Sequence, residues 1–373
     1  MSRANTADYA SLFLNDTPLL DTRAPIEFNQ GAFPRAVNLP LMSDAERAQV
    51  GTCYKQRGQE AAIALGHQLV QGATKAARVA AWKAFAEAHP QGYLYCFRGG
   101  LRSRVTQQWL AEAGIEYPFI EGGYKAMRRF LLEVIEQQAA ERPWVILGGR
   151  TGTGKTKVID VVSACVDLEG LAHHRGSSFG RRVREQPTQI DFENALAVTL
   201  LKQREALAGA LMLEDESRLI GRLCLPDSLH GAMQSAPMVL LDVPLQTRID
   251  TVMEDYVEHL SAEYREAYGD EEGGVRYAGY MLESLDRIRK RLGAERHTEI
   301  GALMRKALDA QLQRNDLSLH RLWIEQLLTR YYDPMYDYQL AKKRERVLFQ
   351  GDRGAIVAWF EDYRSSPSVT RGA

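Results

Sequence analysis

Cysteine is scarce: the 373 residues contain only Cys53, Cys96, Cys165 and Cys224, widely separated and with no C-x-x-C pair. That excludes a disulfide framework and the usual zinc-ligand spacings. His173 and His174 follow Cys165 at a distance that matches no familiar metal-ligand set. No apolar run approaches membrane-spanning length, and residues 1–22 lack the basic-then-apolar pattern of a secretion signal. A cytoplasmic protein with no membrane partner is therefore expected. One-sided charge is missing as well: 47 Lys and Arg face 48 Asp and Glu, for a net charge of −1. The chain cannot hold nucleic acid as a polycation, so an RNA partner would need local patches such as residues 175–184, 287–291 and 342–346.

Against that background, residues 93–103, YLYCFRGGLRS, stand out. An aromatic and apolar strand delivers Cys96 into a glycine-rich, arginine-bearing loop, and a helical pattern follows. Loop N–H groups and the charges of Arg98 and Arg102 favour a thiolate at Cys96 and can hold an oxyanion over the sulfur. Gly99 and Gly100 let the backbone turn inward without a Cβ in the way. The candidate nucleophile is Cys96, and its anion cradle is Arg98, Gly99, Gly100, Arg102 and Ser103.

Strands and helices alternate through the first third. A short strand ends at Asp21, a helical turn covers residues 24–29, and a second strand covers residues 36–39. Residues 74–89 form a helix before the Cys96 strand, another follows at 105–113, and a short strand is expected at Phe119 and Ile120 before the Gly122-Gly123 turn. This predicts a small parallel α/β domain with the cysteine loop at a strand's C-terminal end, where such sheets bind ligands. Asp21 and Arg23 are placed to brace a loop by an ion pair. Residues 51–70 interrupt the domain with Cys53, Lys55, Arg57 and a helical run; Cys53 reads as a core thiol or as a resolving partner for Cys96.

A long amphipathic helix over residues 124–140 leads to an apolar strand, residues 144–147, that runs into GGRTGTGKT at 148–156. Gly149, Arg150, Thr151, Gly152, Thr153, Gly154, Lys155 and Thr156 satisfy the P-loop pattern with a strand before and a predicted helix, residues 157–165, after. Loop amides wrap a di- or triphosphate, Lys155 neutralises it, and Thr156 can ligate Mg²⁺. A second acidic strand is offered twice, by Glu214-Asp215-Glu216 after residues 210–213 and by Asp242 after residues 239–241. Residues 170–184, GLAHHRGSSFGRRVR, read as a phosphate- or RNA-contacting loop, with His174, Arg175 and Ser177 as substrate or RNA contacts.

From residue 244 onward the chain is helical and charged, with helices at 245–260, 277–292, 298–314 and 318–329. The tyrosine cluster at 331–338 breaks the pattern, and a basic stretch follows. Aromatics beside cations suit stacking on unpaired bases, so Tyr332, Tyr336, Lys342 and Lys343 join the RNA-contact candidates. The tail after Tyr363 reads as disordered.

The N-terminal third resembles a rhodanese domain, through DTRAPIEFNQGAFPRAVNLP and the later cysteine loop. That resemblance implies a chalcogen carried on Cys96. Five residues separate Cys96 from Arg102, where sulfurtransferases typically have four; the wider loop is that of cysteine phosphatases on the same fold and suits a phosphate-sized anion. Over essentially the whole chain the sequence resembles the tRNA 2-selenouridine synthase family, at DTRAPIEFNQGAFPRAVNLPL, VGTCYKQRG with LGHQLV, YCFRGGLRS, EGGYKAMRR, GGRTGTGKT and YYDPMYDYQLAKK. The resemblance implies a rhodanese-like domain over 1–138, a P-loop domain over 139–245 and a helical, tRNA-contacting region over 246–373. It implies a transferase that converts 2-thiouridine at the tRNA wobble position into 2-selenouridine, using selenophosphate and passing through an S-geranylated uridine made from geranyl diphosphate. Cys96 would handle the selenium, as a perselenide in one version, and ATP would not be required. Two rivals stay open at this point: a P-loop kinase with a regulatory rhodanese- or phosphatase-like module, and a non-catalytic RNA-binding adaptor.

Overall fold

The computed structural model describes residues 3–206 and 209–366. The chain forms two compact units, one of residues 1–136 with 188–202 and the other of residues 137–187 with 203–373. Each is α/β with parallel strands, and the second carries a helical C-terminal region.

In the first unit, β1 (Leu19–Asp21) is flanked by β2 (Ala36–Asn38) and β3 (Tyr93–Tyr95), both parallel to it. The strand expected at residues 119–120 is reduced to single parallel bridges, Leu94 to Phe119 and Thr6 to Ile120. Leu20, Trp82, Leu94, Trp109 and Leu110 form the core between the sheet and the helices Gly72–Ala88 and Leu101–Glu112. Asp21 and Arg23 do form the expected ion pair, and it is buried. The Arg23 guanidinium lies 2.7 Å from Asp21 and donates to the Gly31 carbonyl, and the Tyr95 hydroxyl donates to Asp21 at 2.6 Å. The inserted segment is one long helix, Asp44–Leu69, interrupted at Gly58, whose φ of +84° is non-helical. Ser43 caps it, in a reciprocal capping box with Glu46.

The second unit holds a five-stranded parallel sheet. Its strands are β4 (Trp144–Gly149), β5 (Cys165–Val166), β6 (Leu211–Glu214), β9 (Met238–Leu241) and β10 (Val347–Gly351), in the order β10-β9-β4-β6-β5. A small antiparallel hairpin, β7 (Leu219–Ile220) with β8 (Leu223–Cys224), stands outside it. β4 is buried at every position, as a central parallel strand requires.

Several sequence expectations need correction here. The helix after the P-loop is short, Lys155–Ile159, and the chain has returned to strand by Cys165. The tyrosine cluster does not break the helix: a π-helical turn, Leu328–Tyr332, passes into the helix Asp333–Ala341, and the Arg330 carbonyl, four residues before Pro334, accepts from the Arg296 guanidinium instead. A second π-helical stretch, Met253–His259, joins the helices Leu245–Val252 and Leu260–Tyr268. Asp270–Leu292 and Ala294–Arg314 each start earlier than the apolar periodicity indicated, because their first turns are acidic and polar. The region, expected to be mostly helical, also contains a strand, β10. The last helix, Arg353–Ser365, reaches past Tyr363, and the rest of the tail lies outside the described residues.

Candidate functional site

Cys96 follows β3 directly and is buried, with 3% of its surface exposed. Its loop is fixed from behind by the Gly122-Gly123 turn. The amides of Tyr124 and Lys125 donate to the carbonyls of Cys96 and Phe97, each at 2.9 Å. Gly99 and Gly123 both have positive φ and pack back to back; a Cβ on Gly123 would lie 2.3 Å from the Cys96 carbonyl oxygen and 2.4 Å from the Gly99 nitrogen. The two glycine pairs in the sequence are thus one clamp.

A cavity of about 1020 Å³ opens over this loop, lined by Cys96, Arg98, Gly100 and Arg102 together with part of the inserted helix. Of the expected cradle, Arg98 is exposed and makes no ion pair with a described residue. Arg102 is instead held in a two-pronged pair with Glu27, at 2.7 and 3.2 Å, and Arg47 joins the same carboxylate at 3.1 Å. Burial alone would raise the Glu27 carboxyl, but the hydrogen bond and charge of Arg102, with Arg47 behind them, hold it below the usual carboxylate range. Ser103 is fully buried, its hydroxyl without a hydrogen-bond partner, and does not line the cavity. Glu27 was not foreseen as a site residue; its place three residues after Ala24 in a helix start was the signal. Cys53 lines a separate depression on the inserted helix rather than the Cys96 cavity.

The second site lies at the end of β4. A cavity of about 700 Å³ is lined by Gly149 and residues 151–156, by Arg175, Gly176 and Ser177, by Asp215 and Glu216, and by Tyr332, Tyr336 and Lys343. Arg150 is the one member of the predicted loop outside this lining: its guanidinium grips Asp337 at 2.7 and 2.9 Å. Arg248 holds the loop on another side, donating to the Thr151 carbonyl at 2.9 Å while pairing with Asp333. The Thr153 hydroxyl turns inward to the Arg150 carbonyl. Gly152 and Gly154 carry φ of +82° and +79°, and a Cβ on Gly152 would meet the Arg248 carbonyl at 2.7 Å. The loop's shape is thus set by side chains of the helical C-terminal region, whose Asp333 and Asp337 lie one turn apart on the helix Asp333–Ala341.

Of the two acidic strand ends, only the one after β6 reaches this cavity; Asp242, after β9, accepts from Gln350 instead. Glu214, Glu216 and Glu169 form a close carboxylate cluster. Burial first, and then the mutual repulsion of the three, push their carboxyls above the ordinary range, against the pull of Lys155. Glu169 sits in the five-residue helix Leu168–Ala172 and had no sequence signal. Tyr256 was missed too; its hydroxyl lies 3.1 Å from Ser177 Oγ, and the Arg175 guanidinium sits over its ring. His174 is half-buried, does not line the cavity, and is held below the usual histidine range by burial and by Arg287. Lys343 pairs with Asp215 at 2.6 Å, and Lys342 lies over the exposed ring of Tyr338. Among the described residues no group of three or more histidine, cysteine or carboxylate side chains has the arrangement of a metal site.

The profile of the tRNA 2-selenouridine synthase AAA domain matches residues 142–366, which take in the whole P-loop cavity. The chain belongs to the tRNA 2-selenouridine synthase family. It is 54% identical to a tRNA 2-selenouridine synthase of Marinobacter nauticus over 96% of this chain and 98% of that one. A Bordetella bronchiseptica protein of the same name is 56% identical over 98% of each. One from Hahella chejuensis is 54% identical over 98% of this chain and 97% of its own length. The family likeness thus spans both units, including the cysteine loop. No helix among the described residues is long and apolar enough to cross a membrane.

Proposed function

We propose that the chain is a two-site transferase acting on tRNA, replacing the sulfur of 2-thiouridine at the wobble position by selenium. The observation that carries this is one chain holding two unlike ligand cavities, one over a cysteine loop and one over a P-loop. The P-loop cavity suits geranyl diphosphate. Loop amides and Lys155 neutralise the pyrophosphate as it leaves, and the thiocarbonyl sulfur takes the geranyl group. If Mg²⁺ takes part, Thr156 is the side chain that would hold it, with diphosphate oxygens and waters filling the other positions. Beside the P-loop, Phe179, Val252, Trp323, Ile324 and Leu327 border a small apolar pocket that meets Thr151 and Tyr332, a fitting start for a prenyl groove. Alkylation converts a poor leaving group into a thiol. The Cys96 loop, rhodanese-like in its strand-end position and wider by one residue, suits selenophosphate, with Arg98 as its uncommitted cation. Cytoplasmic location follows from a tRNA substrate.

The test is separation of function on thiolated tRNA, with nucleosides read by mass spectrometry. Cys96→Ser lowers selenation by about a hundredfold or more while S-geranylation persists, and Lys155→Ala lowers S-geranylation by a similar factor. Selenation that survives Cys96→Ser unchanged removes the cysteine loop from the reaction. Phosphate transfer from ATP, in place of geranylation, would instead make the P-loop that of a kinase.

A further inference from the structure

Three basic stretches, residues 175–184, 287–291 and 342–346, lie far apart in the sequence, and the fold uses them differently. The third is largely committed to structure: Lys343 pairs with Asp215, the Arg346 guanidinium donates to the carbonyls of Met233 and Ala236, and Lys342 lies over the Tyr338 ring. The first two meet. The Arg181 amide donates to the Tyr280 hydroxyl at 3.0 Å, and the Arg287 guanidinium donates to the Ser178 carbonyl at 2.9 Å. The guanidiniums of Arg181 and Arg287 both lie over the Tyr280 ring, 4.9 and 5.5 Å from its centre. On the helix Asp270–Leu292 the positions of Tyr280, Ser284, Arg287 and Arg291 repeat at helical spacing, so they share the face turned to the loop. Arg175 from the loop and Arg291 from the helix both line the P-loop cavity, so the joined stretches form one rim of it.

The charge on this rim has no counter-charge in the fold. Residues 175–184 hold four arginines and residues 287–291 three arginines and a lysine, with no acidic residue in either stretch. Among the described residues none of the eight has a carboxylate within ion-pair distance; Asp286, beside Arg287, pairs with His297, and Asp255 feels Arg175 only through space. Two guanidiniums over one ring repel each other, and a bound anion reverses that cost. The ligand of the P-loop is not that anion, because Arg181, Arg184 and Arg287 are exposed and lie outside the cavity lining. A lipid surface fits poorly too: neither stretch exposes an apolar side chain, Phe179 and Ile288 being buried and Val183 half-buried. A polyanion with one charge at each repeat along its length matches the rim. We propose that this rim docks the sugar–phosphate backbone of RNA and so holds a nucleotide at the mouth of the P-loop cavity. This rests on the tRNA substrate proposed above and places it on the molecule. Backbone contacts fix register and orientation without reading sequence, so the rim supplies affinity while the choice of base is left to the cavity. The stretch 342–346 is no part of the docking surface.

The test is binding of labelled 2-thiouridine tRNA to the full-length protein by filter retention over a series of salt concentrations. The double variant Arg181→Ala/Arg184→Ala raises Kd by about tenfold or more and makes log Kd less steep against log salt by about 1 to 2, as loss of two phosphate contacts requires. Arg344→Ala, at an exposed cation of the third stretch, changes neither. Arg184→Glu alone shows the same weakening, and it keeps the test readable if the double variant misfolds, because the exposed Arg184 side chain makes no hydrogen bond or ion pair with a described residue. Unchanged tRNA affinity in the double variant and in Arg184→Glu, or an equal loss in Arg344→Ala, overturns the proposal. So does a loss confined to polyglutamate, tried as a competing polyanion, which would assign the rim to an acidic protein. Binding of tRNA through this rim with no modified nucleoside formed would remove the reaction proposed above and leave the rim as the docking surface.

Discussion

Glu214 has no exposed surface, and one of its carboxylate oxygens lacks a hydrogen-bond partner while the other accepts from the Glu169 amide at 3.1 Å. Such a group is cheapest as the neutral acid, and burial, ahead of the charges of Glu169 and Asp167, lifts it from 4.5 to about 8. The sign of its linkage is opposite to that of a salt-bridged carboxylate. The folded state keeps the proton that the unfolded chain releases, so stability falls as pH rises from about 4.5 to 8. Glu214→Gln, permanently neutral, should therefore flatten the profile. Thermal melts should match within about 1 kcal/mol at pH 5, and at pH 9 the variant should melt higher, by about 2–4 °C for each kcal/mol gained. A variant that loses stability at pH 9 would mean that Glu214 is held ionised. The acidic run 214–216 was visible in the sequence as one of two options. What distinguishes this run is its neighbour Glu169, which is contributed by the helix Leu168–Ala172 and leaves no trace in local pattern.

At the scale of elements, the cysteine loop was legible because strand, glycines and arginines announce themselves within eleven consecutive residues. Its support was not. The Gly122-Gly123 turn reads locally as a turn and nothing more; only the fold brings Gly123 against Gly99, some two dozen positions earlier. Gly123→Ala places a Cβ 2.3 Å from the Cys96 carbonyl at a φ of +56°, so it should cost about 2 kcal/mol or more and displace the loop. The expected result is a lower melting temperature and a changed rate of Cys96 alkylation by iodoacetamide. Gly58→Ala, also at positive φ but with open space around it, should cost only the backbone strain, and leave that rate unaltered. Equal effects at both positions would reduce the clamp to a conformational preference. β10 shows the other way a sequence misleads: its five residues alternate between half-buried and exposed, a period-2 pattern too short to stand out among long helices.

For the whole molecule, a single boundary was expected at residue 138, whereas the first unit also takes in residues 188–202 from far downstream. That segment is anchored by several bonds of its own unit. Asp191 accepts from the Ala32 amide at 2.7 Å, Asn194 donates to the Ala32 carbonyl at 2.7 Å, Arg128 reaches both Glu193 and Asn194, and Lys202 pairs with Asp16. Ile190 packs against Gly31 so closely that a Cβ there would fall 2.3 Å from it. The sequence shows a helix in this stretch but cannot say which unit receives it, because its apolar residues, such as Phe192, Leu196 and Leu200, are equally able to cover either sheet. A fragment of residues 1–136 should therefore leave apolar surface and the Ala32 backbone groups uncovered, and it should melt broadly or aggregate. Adding a peptide of residues 186–206 in trans should restore a cooperative melt, followed by circular dichroism, and the restored midpoint should rise with peptide concentration as mass action requires. A fragment that already melts cooperatively without the peptide would show that residues 188–202 only decorate the unit. Since the returning segment is continuous with the chain that follows the P-loop, its docking is a constraint that the order of the sequence hides and only the assembled fold imposes.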